Sequence, residues 1–192
     1  MGNPGWYYKD VLPYFQRSEK RIGAGDDKYR GRSGELPITD LDWHHPITEA
    51  FINGAKELGI PINPDYNGEK QEGSGYFQRT IYKGLRVSAS RAFLKPIKSR
   101  PGVDIRTECH VSKILIKDNQ ATGVSYIKGG RKGLSRSLMA RREVIVSAGT
   151  INTPKLLQIS GIGPKKLLNN LGIPVLIDLP GVGSNFRDHY GV

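Results

Sequence analysis

The 192-residue chain has a composition and charge that exclude several classes of protein. Its 24 glycines and 12 prolines, with a hydrophobic fraction of 37%, are typical of a loop-rich folded domain and not of a disordered tail. The only cysteine, Cys109, excludes an internal disulfide. No 18-residue apolar run predicts a membrane span, and the first ten residues lack the pattern of a secretory signal.

The net charge of +11 would by itself favour an anionic partner such as nucleic acid. Much of this charge is concentrated between two predicted strands, in Lys128, Arg131, Lys132, Arg136, Arg141 and Arg142. Such a cluster is typical of a solvated hairpin. The charge is therefore weak evidence for nucleic-acid binding.

The first hundred residues predict helices separated by glycine-rich loops. A short helix is predicted over Lys9–Ser18, before an aromatic and histidine-rich stretch at residues 42–46. A second helix carries Ala50, Phe51, Ala55 and Leu58 at helical spacing and ends at Gly59. A third helix is indicated by Ala89, Ala92, Phe93 and Leu94.

From residue 103 onward the apolar pattern favours strands and then returns to helix. The predicted strands are Val103–Arg106, Val111–Ile116, Ala121–Ile127 and Glu143–Ser147. The sequence thus predicts a mixed α/β (α+β) fold.

The stretch EVIVSAGTINTPKLLQISGIG, residues 143–163, combines a β-branched strand with a turn of small residues and a helix. Thr153 is predicted to cap this helix, Pro154 to occupy its first turn and Gly161 to end it. The small residues at 147–149 would let a ribose or phosphate approach the backbone. They would equally suit a plain strand-to-helix turn.

Residues 154–173 also fit a second class of protein, the helix-hairpin-helix nucleic-acid modules. Here Gly161-Ile162-Gly163 would form the hairpin, with Lys165 and Lys166 beside the exposed amides. The chain would contain a single copy of this module. That copy would be joined directly to a buried strand whose small residues have no function in such a module. Both observations argue against it.

The histidines offer little evidence for a metal or a base. His44 and His45 are adjacent and would point to opposite faces of a strand, so no metal ligand is predicted. His189 follows Asp188, and a histidine held by a carboxylate could act as a general base.

A longer pattern carries a family resemblance. GTINTPKLLQISGIG, from Gly149 to Gly163, resembles the second signature of the glucose-methanol-choline (GMC) oxidoreductases, which are FAD flavoproteins, at every defined position. The segments GNPGWYYKDVLPYFQRSE, GLRVSASRAFLKPI, HVSKILI and PGVGSNFRDH look like those of insect glucose dehydrogenases of this family. The resemblance implies an incomplete GMC-type FAD-binding domain. Residues 1–100 would then be substrate-side and cap-like segments, and residues 101–192 would be FAD-domain strands and helices.

The resemblance also implies a cofactor site. The cofactor would be FAD, with the backbone of Val111 contacting its adenine, and Ala148 and Gly149 lining its adenosine side. NFRDH resembles the family's Asn-Leu-Gln-Asp-His segment but departs from its commonest form at Phe186 and Arg187. The resemblance implies that this segment, with Asn185, Asp188 and His189, is cofactor-domain scaffolding.

The family's pyrophosphate-binding Gly-x-Gly-x-x-Gly turn is absent from this sequence, and its catalytic histidine would fall beyond Val192. We therefore expect an internal fragment without catalytic residues of its own, which is inactive alone and does not retain FAD. A non-catalytic relic is the other alternative.

The whole enzyme would oxidise the CH–OH group of an alcohol or sugar and pass hydride to flavin. Its electron acceptor would be a quinone or oxygen, and neither a nucleic-acid partner nor a membrane span is expected. Localisation stays open, with secretion of the full-length protein as one outcome.

Overall fold

The computed structural model describes residues 3–130 and 133–189, which divide into two compact units, 1–104 and 105–192. Helices and strands occur in both units. No helix among the described residues is both long and apolar enough to cross a membrane.

The described residues of the first unit form two helices and two small pairs of strands. Its elements are α1 (Tyr8–Ser18), β1 (Glu19–Ile22), β2 (Leu36–Thr39), α2 (Pro46–Glu57), β3 (Ile81–Tyr82), β4 (Leu85–Arg86) and a π-helical turn (Ser90–Leu94). β1 and β2 are parallel, and β3 and β4 are antiparallel. The first two predicted helices are confirmed, with Gly59 at a φ of +84° just after α2. The third is only the π-helical turn.

Two buried arginines occupy the interior of this unit. Arg30 is 3% exposed and forms ion pairs with Glu19, at 2.7 Å, and Asp65, at 3.2 Å. It also donates to the side-chain carbonyl of Gln78 at 3.0 Å. Arg21 is similarly buried and pairs with Asp40. Because a buried charge is costly unless it is paired, these contacts are essential to the unit.

The second unit contains an antiparallel sheet followed by a helical region. Its elements are β5 (Cys109–Lys117), β6 (Gln120–Lys128), β7 (Ser135–Met139), α3 (Gly149–Ile159), β8 (Ile162–Gly163), α4 (Lys165–Asn170) and β9 (Ile177–Asp178). The sheet order is β5-β6-β7, and β8 pairs with β9 in parallel. The strands predicted over Val111–Ile116 and Ala121–Ile127 are therefore confirmed.

The basic segment between residues 128 and 142 contains β7, a strand that the sequence pattern did not predict. All five residues of β7 are exposed, as are Lys128, Arg136, Arg141 and Arg142. Arg131 and Lys132 lie outside the described residues. Where it is described, this segment is solvated, as its charge predicts.

Two of the strand predictions are wrong. Neither Val103–Arg106 nor Glu143–Ser147 is hydrogen-bonded into a sheet within the described part of the chain. Residues 143–147 carry the predicted β-branched side chains, but Ile145 is 80% exposed. The sequence pattern reflects the preferences of side chains, whereas a strand also needs a partner backbone, and residues 143–147 have no paired strand among the described residues.

The start of α3 also differs from the prediction. The helix begins at Gly149, with Ala148 as the residue before it, so that Thr153 and Pro154 lie inside the helix. Gly149 adopts a φ of +87°, which favours glycine, and this conformation lets the chain enter the helix before Thr153 could cap it. The predicted end at Gly161, where φ is +90°, is confirmed.

The lack of pairing at residues 143–147 predicts a difference in hydrogen exchange. The backbone amides of Val144–Val146 should exchange at least about 100-fold faster than that of Ile114, which donates to the Ser160 hydroxyl, and that of Val124, which lies in the central strand β6. Exchange of the purified chain, followed by NMR or mass spectrometry, would measure this ratio. Equal protection of the two groups would mean that residues 143–147 are paired in solution.

Candidate functional site

A cavity of about 270 Å³ lies between β5 and α3, within the second unit. Its lining residues are Cys109, His110, Val111, Ala148, Asn152, Lys155, Leu156 and Ile159. Two of the three residues that the family resemblance assigns to the cofactor, Val111 and Ala148, thus share one cavity. The third, Gly149, follows Ala148 directly but is not among the lining residues.

One wall of the cavity is the edge strand β5, which pairs only with β6 among the described strands. The register of this pair shifts between Val111 and Lys113, so that Ser112 is an extra residue. A bulge of this kind bends the strand and redirects its side chains, and such bulges are frequent beside binding sites. Val111, which directly precedes the bulge, is 36% exposed.

The opposite wall is one face of α3. Asn152, Lys155, Leu156 and Ile159 follow the spacing i, i+3, i+4, i+7, which aligns side chains along a single helical face. The family resemblance assigned no role to these residues. Their helical spacing was visible in the sequence, but the strand that they face was not.

A buried serine holds the two walls together. Ser160 is 1% exposed, and its hydroxyl accepts a hydrogen bond from the backbone N–H of Ile114 at 2.9 Å. The same hydroxyl donates to the carbonyl of Leu156 at 2.6 Å. Because these bonds join β5 to the last turn of α3, they fix the width of the cavity.

The chemistry of the cavity suits a ligand with an apolar body and polar ends. Val111, Ala148, Leu156 and Ile159 provide apolar surface, while His110, Asn152 and Lys155 provide polar groups. None of its lining residues is acidic. Cys109 also lines the cavity, and its thiol donates to the carbonyl of Thr107 at 3.3 Å.

The two adjacent histidines have separate local partners. His45 Nδ1 accepts a hydrogen bond from the N–H of Ile47 at 3.2 Å, so His45 caps α2. His44 lies 2.9 Å from Glu49 and stacks on Tyr76 with ring centroids 4.5 Å apart. Among the described residues, no group of three or more His, Cys, Asp and Glu side chains could hold a metal ion.

Two pKa values are shifted near these histidines. A hydrogen bond from Arg79 lowers the pKa of Asp42. Partial burial, and then the nearby Glu49, raise the pKa of Tyr76. Both shifts favour the state that each group already has at neutral pH, so neither indicates an acid–base role.

The Asp188–His189 pair does not have the geometry of a base held by a carboxylate. The Asp188 side chain accepts a hydrogen bond from the backbone N–H of His189 at 2.8 Å, and both residues are exposed. The nearby Asn185 adopts a φ of +58°. The Asp188 carboxylate is thus bonded to the backbone of His189 and not to its imidazole.

The hairpin of the nucleic-acid alternative has its exposed amide occupied. The backbone N–H of Lys165 donates to the carboxylate of Asp178 at 3.0 Å. Gly161 and Gly163 are buried, and Gly163 belongs to β8. A phosphate at this position would meet a carboxylate, so the geometry disfavours this alternative.

The described residues thus form a mixed helix-and-strand fold with a cavity between the edge strand β5 and the helix α3. Residues 1–191 match the family model described as GMC oxidoreductase. The chain therefore belongs to the GMC oxidoreductase family.

Individual relatives agree with this assignment. The chain is 46% identical over 189 residues to an oxygen-dependent choline dehydrogenase of Sinorhizobium fredii (strain NBRC 101917 / NGR234), covering 98% of this chain and 34% of that protein. The chain thus spans about a third of the length of the curated relatives it matches.

Solved structures show the same fold. An FAD-dependent oxidoreductase from Chaetomium thermophilum matches with a TM-score of 0.84 and 39% identity, over 94% of this chain and 33% of that one. Pyridoxine 4-oxidase from Mesorbium loti matches with a TM-score of 0.82 and 32% identity, over 93% and 35%. The similarity to insect glucose dehydrogenases in particular is not among these findings.

Proposed function

We propose that this chain is part of an FAD-dependent oxidoreductase that oxidises the CH–OH group of an alcohol, and that residues 105–192 hold the adenosine end of FAD. The observation that carries the proposal is the cavity shared by Val111 and Ala148. The family resemblance assigned both residues to the cofactor, although they are far apart in the sequence. Their convergence on one concave surface supports a common ligand.

The residues present fit an adenosine. The apolar side chains of Val111, Leu156 and Ile159 offer a surface for a flat ring, and the bulge after Val111 bends the strand beside it. Ala148 and Gly149 leave room beside the ribose because they carry little or no side chain. Asn152 can both donate to and accept from the edge of a base.

Bound FAD would supply the chemistry by accepting a hydride from the carbon that bears the alcohol hydroxyl. The residues of this chain would bind and orient the cofactor's adenosine end. By the family resemblance, the histidine that takes the hydroxyl proton is not among them. We accordingly propose that the isolated chain is inactive.

Two observations bear on which alcohol the whole enzyme oxidises, and they favour different substrates. The choline dehydrogenase relatives favour a small amino alcohol and oxygen as acceptor. The resemblance to insect glucose dehydrogenases favours a sugar and a quinone or related acceptor. In either case, residues 1–100 would supply substrate-side structure.

The adenosine site predicts that nucleotides shield Cys109 from thiol reagents. ADP or FAD at millimolar concentration should slow maleimide labelling of Cys109 several-fold, because Cys109 is one of the residues that line the cavity. Mass spectrometry of the purified chain would measure the labelling rate.

The same preparation should lack stoichiometric flavin absorbance, since the pyrophosphate-binding turn is absent.

A relocated cysteine provides the matched control. In the Cys109→Ser/Ser137→Cys variant the thiol lies on the exposed strand β7, and its labelling should not change with nucleotide. Unchanged labelling of Cys109 at saturating nucleotide would overturn the adenosine site. A purified chain with one yellow flavin per molecule would show that the expected loss of FAD is wrong.

A further inference from the structure

We infer that Lys155 binds a phosphate group of the adenine nucleotide and makes the cavity selective for phosphorylated nucleotides over adenosine. This inference rests on the proposed function, because it names the part of the ligand that one residue of the same site recognises. The family resemblance assigned Lys155 no role.

The first argument is the charge around the cavity. Lys155 is the only lysine or arginine among the lining residues, and the lining has no carboxylate to pair with it. No ion pair or side-chain hydrogen bond joins Lys155 to another described residue. A cation at a concave surface without acidic groups favours an anionic ligand.

The second argument is the position of Lys155 on α3. It adjoins the buried Leu156, which is 8% exposed and forms part of the apolar wall, but Lys155 is itself exposed. A long lysine stem can follow such a wall and place its ammonium group at the rim. An apolar wall with a cation at its rim matches a nucleotide, whose flat base is apolar and whose phosphate is charged.

A neighbouring concave surface extends the same charge pattern. A second cavity, of about 580 Å³, lies between α3 and residues 183–187, and Lys155 lines it as well. Arg187 contributes to this lining, which again contains no acidic residue. Lys155 therefore borders both cavities, and Arg187 adds a second positive charge to the lining of the second one.

The test compares ADP with adenosine as protectants of Cys109 in the full chain. Half-protection by ADP should need about tenfold more ligand in Lys155→Gln than in the unmodified chain, as expected for a lost charge-assisted contact. Half-protection by adenosine should change less than about twofold. Lys155→Arg, which keeps the charge, should retain most of the affinity for ADP. Rates are compared with and without ligand in each variant, so any direct effect of Lys155 on the thiol cancels.

Lys166→Gln is the matched control, because Lys166 is an exposed lysine of the same unit outside both cavities. It removes the same net charge and should leave ADP protection unchanged. Equal affinity for ADP and adenosine, with no effect of Lys155→Gln, would overturn the role of Lys155 but preserve the adenosine site. An equal loss in Lys155→Gln and Lys166→Gln would reduce the effect to overall charge and also overturn it. Failure of both ligands to protect would overturn the proposed site itself.

Discussion

Replacing Arg30 by methionine should lower the free energy of unfolding of the 1–104 unit by about 3–5 kcal/mol. Methionine fills much of the same volume but leaves Glu19 and Asp65 without their cation. The side chains of both carboxylates are more than four-fifths buried, so water cannot replace the lost contacts fully. Gln78 loses its donor as well. The variant thus combines unpaired charge with a broken hydrogen bond in one place.

Tryptophan fluorescence during urea unfolding would measure this loss selectively. Both tryptophans of the chain, Trp6 and Trp43, lie in the 1–104 unit. Arg17→Met is the control, because Arg17 is exposed and should cost less than about 0.5 kcal/mol. Losses of similar size in the two variants would show that the buried ion pairs contribute little.

The sequence alone predicted the elements whose pattern of residues lies within one continuous segment of the chain. The helices α1 and α2 and the strands β5 and β6 carry their own periodicity, and the turn at Asp118 and Asn119 has the residue types that its positive φ angles favour. The family resemblance also assigned Val111 and Ala148 to the cofactor, and the structure brings them to one cavity. Their role toward FAD stays a prediction.

Elements that depend on distant partners were missed or misplaced. The pairing of β1 with β2, and of β8 with β9, joins short segments that have no periodicity of their own. Residues 143–147 have the composition of a buried strand, but composition cannot supply a neighbouring backbone. Lys155 and Asn152 could not be identified as site residues from the sequence for a related reason. Helical spacing shows that they share one face of the helix, and only the position of β5 shows what that face contacts.

The second unit depends on one fully buried leucine. Leu168 of α4 has no exposed surface and lies at the centre of the helical region that follows α3. A Cβ placed at Gly163 of β8 would lie 3.7 Å from both methyl groups of Leu168, which shows how closely α4 and β8 approach. The backbone carbonyl of Leu168 also accepts a hydrogen bond from the N–H of Ile173. This side chain therefore fills the space between α4 and β8.

Replacing Leu168 by alanine should lower the free energy of unfolding of the 105–192 unit by about 2–5 kcal/mol. The lost methyl groups leave a cavity that α4 and β8 cannot close without moving their backbones. The unit contains no tryptophan, but it contains the only cysteine. Pulse labelling of Cys109 across a urea gradient would therefore report its unfolding.

Leu167→Ala provides the matched control from the same helix. Leu167 is 40% exposed, so its truncation should cost about 1 kcal/mol or less. A midpoint that moves equally in both variants would contradict the role of Leu168 as the centre of this region. A clear shift in Leu168→Ala alone would show that α4 and β8 unfold together with β5, the strand that bears Cys109. The stability of the candidate site would then depend on a leucine outside its lining.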